Sequence, residues 1–523
     1  MLFTKLLPKR LLLLALILAL WLPSLSYSVA EAASSPTIRI YLNGKQIQSD
    51  VPPYIVPKAN VTMVPLSVIS KSLGANVNWS QSTKTVTIRH EGLVLSMTIG
   101  QKYALVGGQK VALETSVQAV GGRVMVPLRF VGNQMKLLVT WYQSAKTIVL
   151  ETRDAQMDQS LRGAWISTVY NLDWPSKSSY GQAELQKQEY ATMLDELQGM
   201  GLNAVFVQVR PSADAIYPSR LVPWSVYLQG KQGSDPGYDP LAYLIEETHR
   251  RGMEFHAWFN PFRATVDGKT DGLAPNHVAI AHPEWIVDSG GKKYINPGIP
   301  EARQHIIDAV MEVVQGYEID GVHLDDYFYP SGSVFPDDAA FAAYNPGNIA
   351  DKGDWRRDNI NRFVKDLGAA IDKAKPAVEF GISPFGVWRN MAVDPTGSDT
   401  NAGVTAYDDM YADVRTWIRQ GWIDYVAPQI YWSLSFKAAQ YDKLVDWWAN
   451  EVRGTNVDLL IGHAPYKLGT TESGWSTAQE IIIQLKYNAD VFEVKGDIFF
   501  SAKDLRKNPL GLIPLLQDYY KVK

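Results

Sequence analysis

The sequence predicts an α/β protein: a (β/α)8 TIM barrel over residues 161–523, preceded by a small N-terminal α+β repeat domain. Three observations predict it. Residues 35–152 contain a self-similar repeat, short apolar runs alternate with amphipathic stretches after a polar linker, and eight such runs can be counted in the second part.

The chain opens on a targeting segment. Lys5, Lys9 and Arg10 precede an apolar run over 11–22, and Ala30-Glu31-Ala32 supplies a small-x-small cleavage pattern. Residues 1–33 therefore read as a secretory signal peptide, and the mature chain is expected to be secreted, extracellular or cell-wall associated. With no cysteine in 523 residues, disulfides, zinc thiolates and a cysteine nucleophile are excluded. A formal charge of −4 gives no sign of a nucleic-acid or anionic-membrane partner, and no later segment is apolar enough to span a bilayer.

The repeat comes next. Its first copy carries Val64-Pro65-Leu66, Val77-Asn78-Trp79 and Lys84-Thr85-Val86. The second carries Val126-Pro127-Leu128, Val139-Thr140-Trp141 and Lys146-Thr147-Ile148. Each copy predicts a short helix after Val-Pro-Leu, then a β-hairpin. The pattern resembles the copper amine oxidase N-terminal-like domain. That name implies no metal here, because His90 is the only histidine in the region. An accessory role in docking to wall or substrate and a plain spacer both fit. Residues 153–160 form the linker.

Strands of the barrel are expected at 163–168, 203–210, 254–260, 321–327, 379–385, 424–431, 459–466 and 496–503, with helices at 184–200, 242–251, 301–315 and 359–375. Alternate residues of a barrel strand point inward, and polar inward residues at its C-terminal end line the catalytic mouth. On that parity Gln208, Arg210, Asn260, His323, Asp325, Tyr327, Gln429, Tyr431 and Lys503 all reach the mouth. The most informative string is Asp320 through Pro330, a strand ending in Asp325-Asp326 and running into aromatic residues. Glycosidic cleavage needs an acid for the leaving oxygen and negative charge beside the anomeric carbon, so these two carboxylates are the candidate catalytic groups. Asp326 could instead brace Arg210 or Lys503. A further carboxylate would come from a loop: Asp173, Asp214, Asp408, Asp409 or Asp413, the last also reading as a helix cap. A 2-acetamido sugar could also supply its own nucleophile. Trp165, Trp388 and Trp432 are candidate stacking platforms or plain core.

Residues 161–470 resemble the glycosyl hydrolase-like 10 family through Arg162-Gly163-Ala164-Trp165, Gln208-Val209-Arg210-Pro211, Asn260-Pro261-Phe262-Arg263, Asn296-Pro297-Gly298, the Asp320 to Pro330 string, Ser383-Pro384-Phe385-Gly386 and Ala427-Pro428-Gln429-Ile430-Tyr431-Trp432. The resemblance implies a secreted barrel glycosidase acting on bacterial cell-wall glycans, notably strands stripped of peptides, with a polysaccharide as its partner and no cofactor. Arg210 or Arg263 would pair with a muramic carboxylate. A looser likeness to family 18 chitinases fails where Tyr327 stands for their catalytic Glu, although Tyr431 matches their acetamide-side tyrosine. Two other classes stay open: a catalytically inactive glycan-binding barrel, and a metal-dependent deacetylase or amidase built on His256, His323 and His463.

Overall fold

The computed structural model describes residues 38–522 apart from 58, 60, 91, 143–145, 153–159 and 327. The expected signal segment and nearly all of the linker therefore lie outside the described residues. The chain divides into two compact units, Met1–Thr152 and Arg153–Lys523.

In the first unit both repeat copies fold as read. Helix Leu66–Ser72 leads into the hairpin Asn76–Ser80 and Thr85–His90; helix Leu128–Gln134 leads into Leu137–Tyr142 and Thr147–Thr152. Each helix starts directly after a proline, where the missing N–H costs no helical hydrogen bond. The two strands that precede the helices, Val61–Pro65 and Arg123–Pro127, pair antiparallel. Duplication thus places two half-cores together, and neither copy buries its apolar face alone. Val64, Ile69, Val126, Val131, Ile88 and Ile148 form the shared interior.

The second unit is a closed barrel of eight parallel strands. They are β1 Leu161–Ile166, β2 Ala204–Arg210, β3 Glu254–Phe259, β4 Gly321–Leu324, β5 Glu379–Ile382, β6 Tyr425–Val426, β7 Asp458–His463 and β8 Val494–Phe499. Helices Ala183–Gly199, Pro240–Arg250, Pro300–Gly316 and Lys352–Ala374 occupy the expected connections. Val205, Val207, Phe255, Ala257, Val322 and Leu324 face outward into the layer of helices. Trp165, Ala204, Phe206, Trp258, Tyr425, Ala427, Leu460 and Ile498 face inward and fill the barrel.

Large inward aromatics need small neighbours. A Cβ at Gly321 would lie 2.2 Å from His256 Nδ1, and one at Gly381 would lie 2.0 Å from the Tyr425 ring. Glycine at these two places leaves the volume that the His256 and Tyr425 rings occupy. Charged and polar inward positions are neutralised by hydrogen bonding. His323 Nε2 accepts from Trp165 Nε1 at 3.1 Å, and its Nδ1 meets the Tyr425 hydroxyl at 3.0 Å. Burial holds His323 well below the usual histidine range, so it is neutral.

Strand β2 breaks the simple alternation. Its register against β3 shifts between Gln208 and Arg210, so that Gln208 opposes Trp258 while Arg210 opposes the outward-facing Phe259. The extra residue is a β-bulge, which moves every following side chain to the other face.

Candidate active site

Asp325 and Asp326 follow β4 at the C-terminal end of the barrel, and both are nearly buried. Each is held by a different neighbour. Asn260, the first residue beyond β3, donates its amide nitrogen to Asp325 Oδ2. The same Asn260 side chain accepts at Oδ1 from Gln208 Nε2 and, at 2.8 Å, from Arg263 Nη2. Asparagine therefore presents only its donor side to the carboxylate, because both neighbours consume its acceptor. Asp326 hydrogen-bonds to Gln429, whose Nε2 also donates to the Ser383 carbonyl at 3.1 Å. Burial pushes Asp326 up to about 6; the Gln429 hydrogen bond and the Arg263 charge pull the other way without cancelling it.

Aromatic side chains also follow the strands at this end of the barrel. Tyr431 stacks with Phe500 at 6.2 Å and meets Tyr466 edge-on at 6.0 Å. Trp432 packs edge-on against Phe385 at 5.6 Å. Tyr170, in the loop after β1, is 57% exposed, and Tyr466, after β7, is 42% exposed. Solvent-facing rings on loops at the carboxylate end of the barrel suit the flat apolar faces of sugars. Tyr170 stands past the first strand's expected end, whereas Tyr466 and Phe500 fall within the expected strands 459–466 and 496–503 and follow the observed ends at His463 and Phe499. Phe500 packs with the inward-facing Ile498, the parity opposite to the one expected.

The structure brings Asp325, Asp326, Asn260, Arg263, Gln208 and Gln429 into one linked polar set, with Tyr431 and Trp432 at the same end of the barrel. Gln208 acts from beneath. Its Oε1 accepts from the Thr168 and Val169 backbone N–H groups at 3.0 and 2.9 Å and from the Ser167 hydroxyl at 3.1 Å, which fixes the loop after β1. Tyr327 lies outside the described residues.

Five expectations are corrected. The bulge turns Arg210 outward, where it is completely buried and donates Nη1 to the Asn260 and Pro261 carbonyls at 2.9 and 3.1 Å. Arg210 thus supports the chain at Asn260 and is not a group a sugar can reach, nor does Asp326 brace it. Lys503 is exposed on the short helix Ala502–Arg506: β8 ends at Phe499, and the inward residues here are Ile498 and Phe500, the parity opposite to Lys503. His323 and Trp165 belong to the barrel filling and have partners in each other. Trp388 is buried outside the barrel, stacked on Trp447 at 5.7 Å with the Arg415 guanidinium 4.5 Å from its ring centre.

The loop carboxylates are committed elsewhere. Asp173 accepts from Ser167 N, the Ser501 hydroxyl and Lys503 N, tying the loops after β1 and β8 together. Asp214 accepts from Ser212 N and Gln232, Asp408 accepts from Arg389 Nε and Nη2, and Asp409 accepts from Thr405 N. Asp413 caps helix Val414–Gln420 through Thr416 N. The three histidines do not gather at the mouth. His256 and His323 meet within the barrel filling, where their Nδ1 atoms reach the Tyr425 hydroxyl at 3.3 and 3.0 Å, and His463 turns outward to Gln484 and Asp497. Among the described residues no three His, Asp or Glu side chains are grouped to hold a metal.

A barrel with paired carboxylates after its fourth strand and aromatic side chains at the same end defines a protein of the glycosidase type. The chain belongs to the glycosyl hydrolase-like 10 family, whose model matches residues 160–477; a model of the copper amine oxidase N-terminal domain matches residues 41–150. Among similar proteins, the glycosyl hydrolase YngK of Bacillus subtilis (strain 168) is 54% identical over 365 residues, covering 69% of this chain and 71% of that protein. The glycosyl hydrolase DigH of Escherichia coli (strain K12) is 44% identical over 375 residues, covering 67% of this chain and 85% of that protein. Among solved structures, the glycoside hydrolase domain of PgaB (BpsB) from Bordetella bronchiseptica aligns with a TM-score of 0.47 at 14% identity, covering 70% of this chain and 99% of that one.

Proposed function

We propose that this protein is a secreted hydrolase that cleaves glycosidic bonds in bacterial cell-wall or related amino-sugar glycans, including peptidoglycan strands freed of their peptides. The carrying observation is the division of labour between adjacent carboxylates. Asp326 is pushed up to about 6 by burial, whereas Asp325 is gripped by the amide donor of Asn260. Two carboxyl groups with separated environments are the arrangement that acid-assisted glycoside cleavage uses.

In this reading protonated Asp326 gives its proton to the glycosidic oxygen as the bond from that oxygen to the anomeric carbon breaks. The Asp325 carboxylate supports the positive charge that develops on the sugar. A water oxygen then bonds to the anomeric carbon, and the proton it releases returns to Asp326. Where the sugar carries a 2-acetamido group, its carbonyl oxygen attacks first, Asp325 orients the amide, and Tyr431 lies on the acetamide side. Arg263, part-exposed and already oriented by the Pro211 carbonyl at 2.9 Å, is the cation for a lactyl carboxylate. Arg210 is withdrawn from that role by its burial. The family membership and the names of the relatives support the reaction class, and the resemblance of the strand-end strings supports the wall-glycan substrate.

The test is turnover of purified peptide-free glycan strands by wild type and by Asp325→Asn. Loss of product in the variant, with binding retained, is the expected result. Equal product from both removes Asp325 from the mechanism, and binding without product from wild type makes the barrel a glycan-binding protein.

A further inference from the structure

The two repeat copies of the N-terminal unit use the same residues differently. In the second copy Val139 and Trp141 pack against the shared core. Their counterparts in the first copy, Val77 and Trp79, are 40% and 38% exposed. They line a cavity of about 650 Å³ whose floor is completed by Leu66, Val86, Ile99 and Val124. Ser67, Gln81 and Lys84 stand on the same wall. The Trp79 indole N–H donates to Gln81 Oε1 at 2.9 Å, which fixes the ring. Arg123, also on the wall, is paired with Asp50, while Lys84 has no ion-pair partner among the described residues. Core packing explains Trp141; it does not explain a tryptophan held in place at an open cavity of ligand size.

We propose that this cavity is a polysaccharide-binding site, in which Trp79 stacks on the apolar face of a sugar ring and Ser67, Gln81 and Lys84 meet hydroxyl and acidic groups. The occupant is an amino-sugar glycan strand of the class assigned to the barrel. An apolar floor with a fixed aromatic ring, a hydroxyl, a carboxamide and a lysine without an ion-pair partner among the described residues is complementary to a sugar polymer bearing carboxylates. That choice of occupant rests on the proposed function; the existence of the site does not. Its consequence is enrichment: a strand held by one unit is presented to the other at high effective concentration through the linker.

The experiment is co-sedimentation of the full-length protein with purified insoluble peptidoglycan sacculi, comparing wild type, Trp79→Ala and Lys84→Gln. Loss of Trp79 is expected to weaken binding about tenfold or more, the scale of removing one aromatic anchor. Lys84→Gln is expected to weaken it less and to reduce its salt dependence. Turnover of a short soluble oligosaccharide is expected to stay at the wild-type rate in both variants. Circular dichroism and the melting transition establish that Trp79→Ala is folded, and Lys84→Gln tests the site without touching the core. Unchanged sedimentation of both variants overturns the proposal. A shift in monomer–dimer equilibrium with unchanged sedimentation also overturns it, in favour of a second copy as occupant. Trp79-dependent sedimentation by a protein that hydrolyses nothing sinks the hydrolase reading and leaves this site standing.

Discussion

Replacing Asp326 with asparagine separates the two consequences of its burial. Its carboxyl is displaced from an ordinary 3.8 to about 6. That displacement corresponds to about 3 kcal/mol of preference for the neutral form, an order-of-magnitude figure. The sign follows from linkage. A carboxyl raised in the folded state holds its proton more tightly than the unfolded chain does, so wild-type stability falls as pH climbs from about 4 to about 6 and stays lowered above that. The Asp326→Asn variant has no charge to desolvate at this position, so denaturant titrations should show it gaining on wild type across that window, by up to about 3 kcal/mol. Activity should move the opposite way. As the proton donor, Asp326 works below its pKa, and near pH 7 only about a tenth of molecules carry the proton. Wild-type kcat/KM should therefore decline through about pH 6, and the variant should lose that limb together with roughly 100- to 10,000-fold of rate, the usual weight of a general acid. Sugars with a good leaving group need less proton assistance and should lose less. A variant that keeps the declining limb near pH 6, or that is less stable than wild type above it, refutes the assignment of Asp326.

Three further outcomes follow from neighbouring contacts. Asn260→Leu removes the amide that holds Asp325 and the acceptor shared by Gln208 and Arg263; kcat should drop about 10- to 100-fold, comparable to losing an orienting partner, while the ellipticity of the barrel is retained. Trp388→Ala should cost about 3–5 kcal/mol in denaturant unfolding and leave KM unchanged, because the ring packs on Trp447 and Arg415 and not at the mouth. A raised KM without destabilisation would restore Trp388 as a sugar platform. Gly381→Ala places a Cβ against the Tyr425 ring, and the soluble yield or melting transition should fall sharply, by about 3 kcal/mol or more.

Most of the fold was legible because burial writes a period into the chain. All eight strands and four of their helices form in the segments that alternating and helical patterns mark, although most expected strands run past the observed ends, the sixth from 424–431 against Tyr425–Val426, and the repeat predicted its own paired helices and hairpins. Asp325, Asn260 and Gln429 were legible for the same reason, since each continues the inward parity of an intact strand. Arg210 was not. A single bulge shifts the period of β2, and nothing in Gln208-Val209-Arg210 distinguishes a bulged strand from a regular one. Lys503 failed twice: Ile498 and Phe500, not the odd-numbered residues, face into the barrel, and β8 stops at Phe499 before the chain turns helical. Trp388 failed because an aromatic after a strand is equally at home on a sugar or in a stack of tryptophans. The role of Asp326 needed three dimensions: burial, Gln429 from beyond β6 and Arg263 from the loop after β3 all act on it, and no spacing along the chain expresses that convergence.

The most direct test of the account is mass spectrometry of products formed from peptide-free peptidoglycan strands in heavy-oxygen water, for wild type and for the double variant Asp325→Asn, Asp326→Asn. The account predicts shorter strands whose new reducing ends each carry one heavy oxygen, formed by wild type and absent with the double variant. Strands that stay intact with wild type, or that lose acetyl groups while keeping their length, would contradict it.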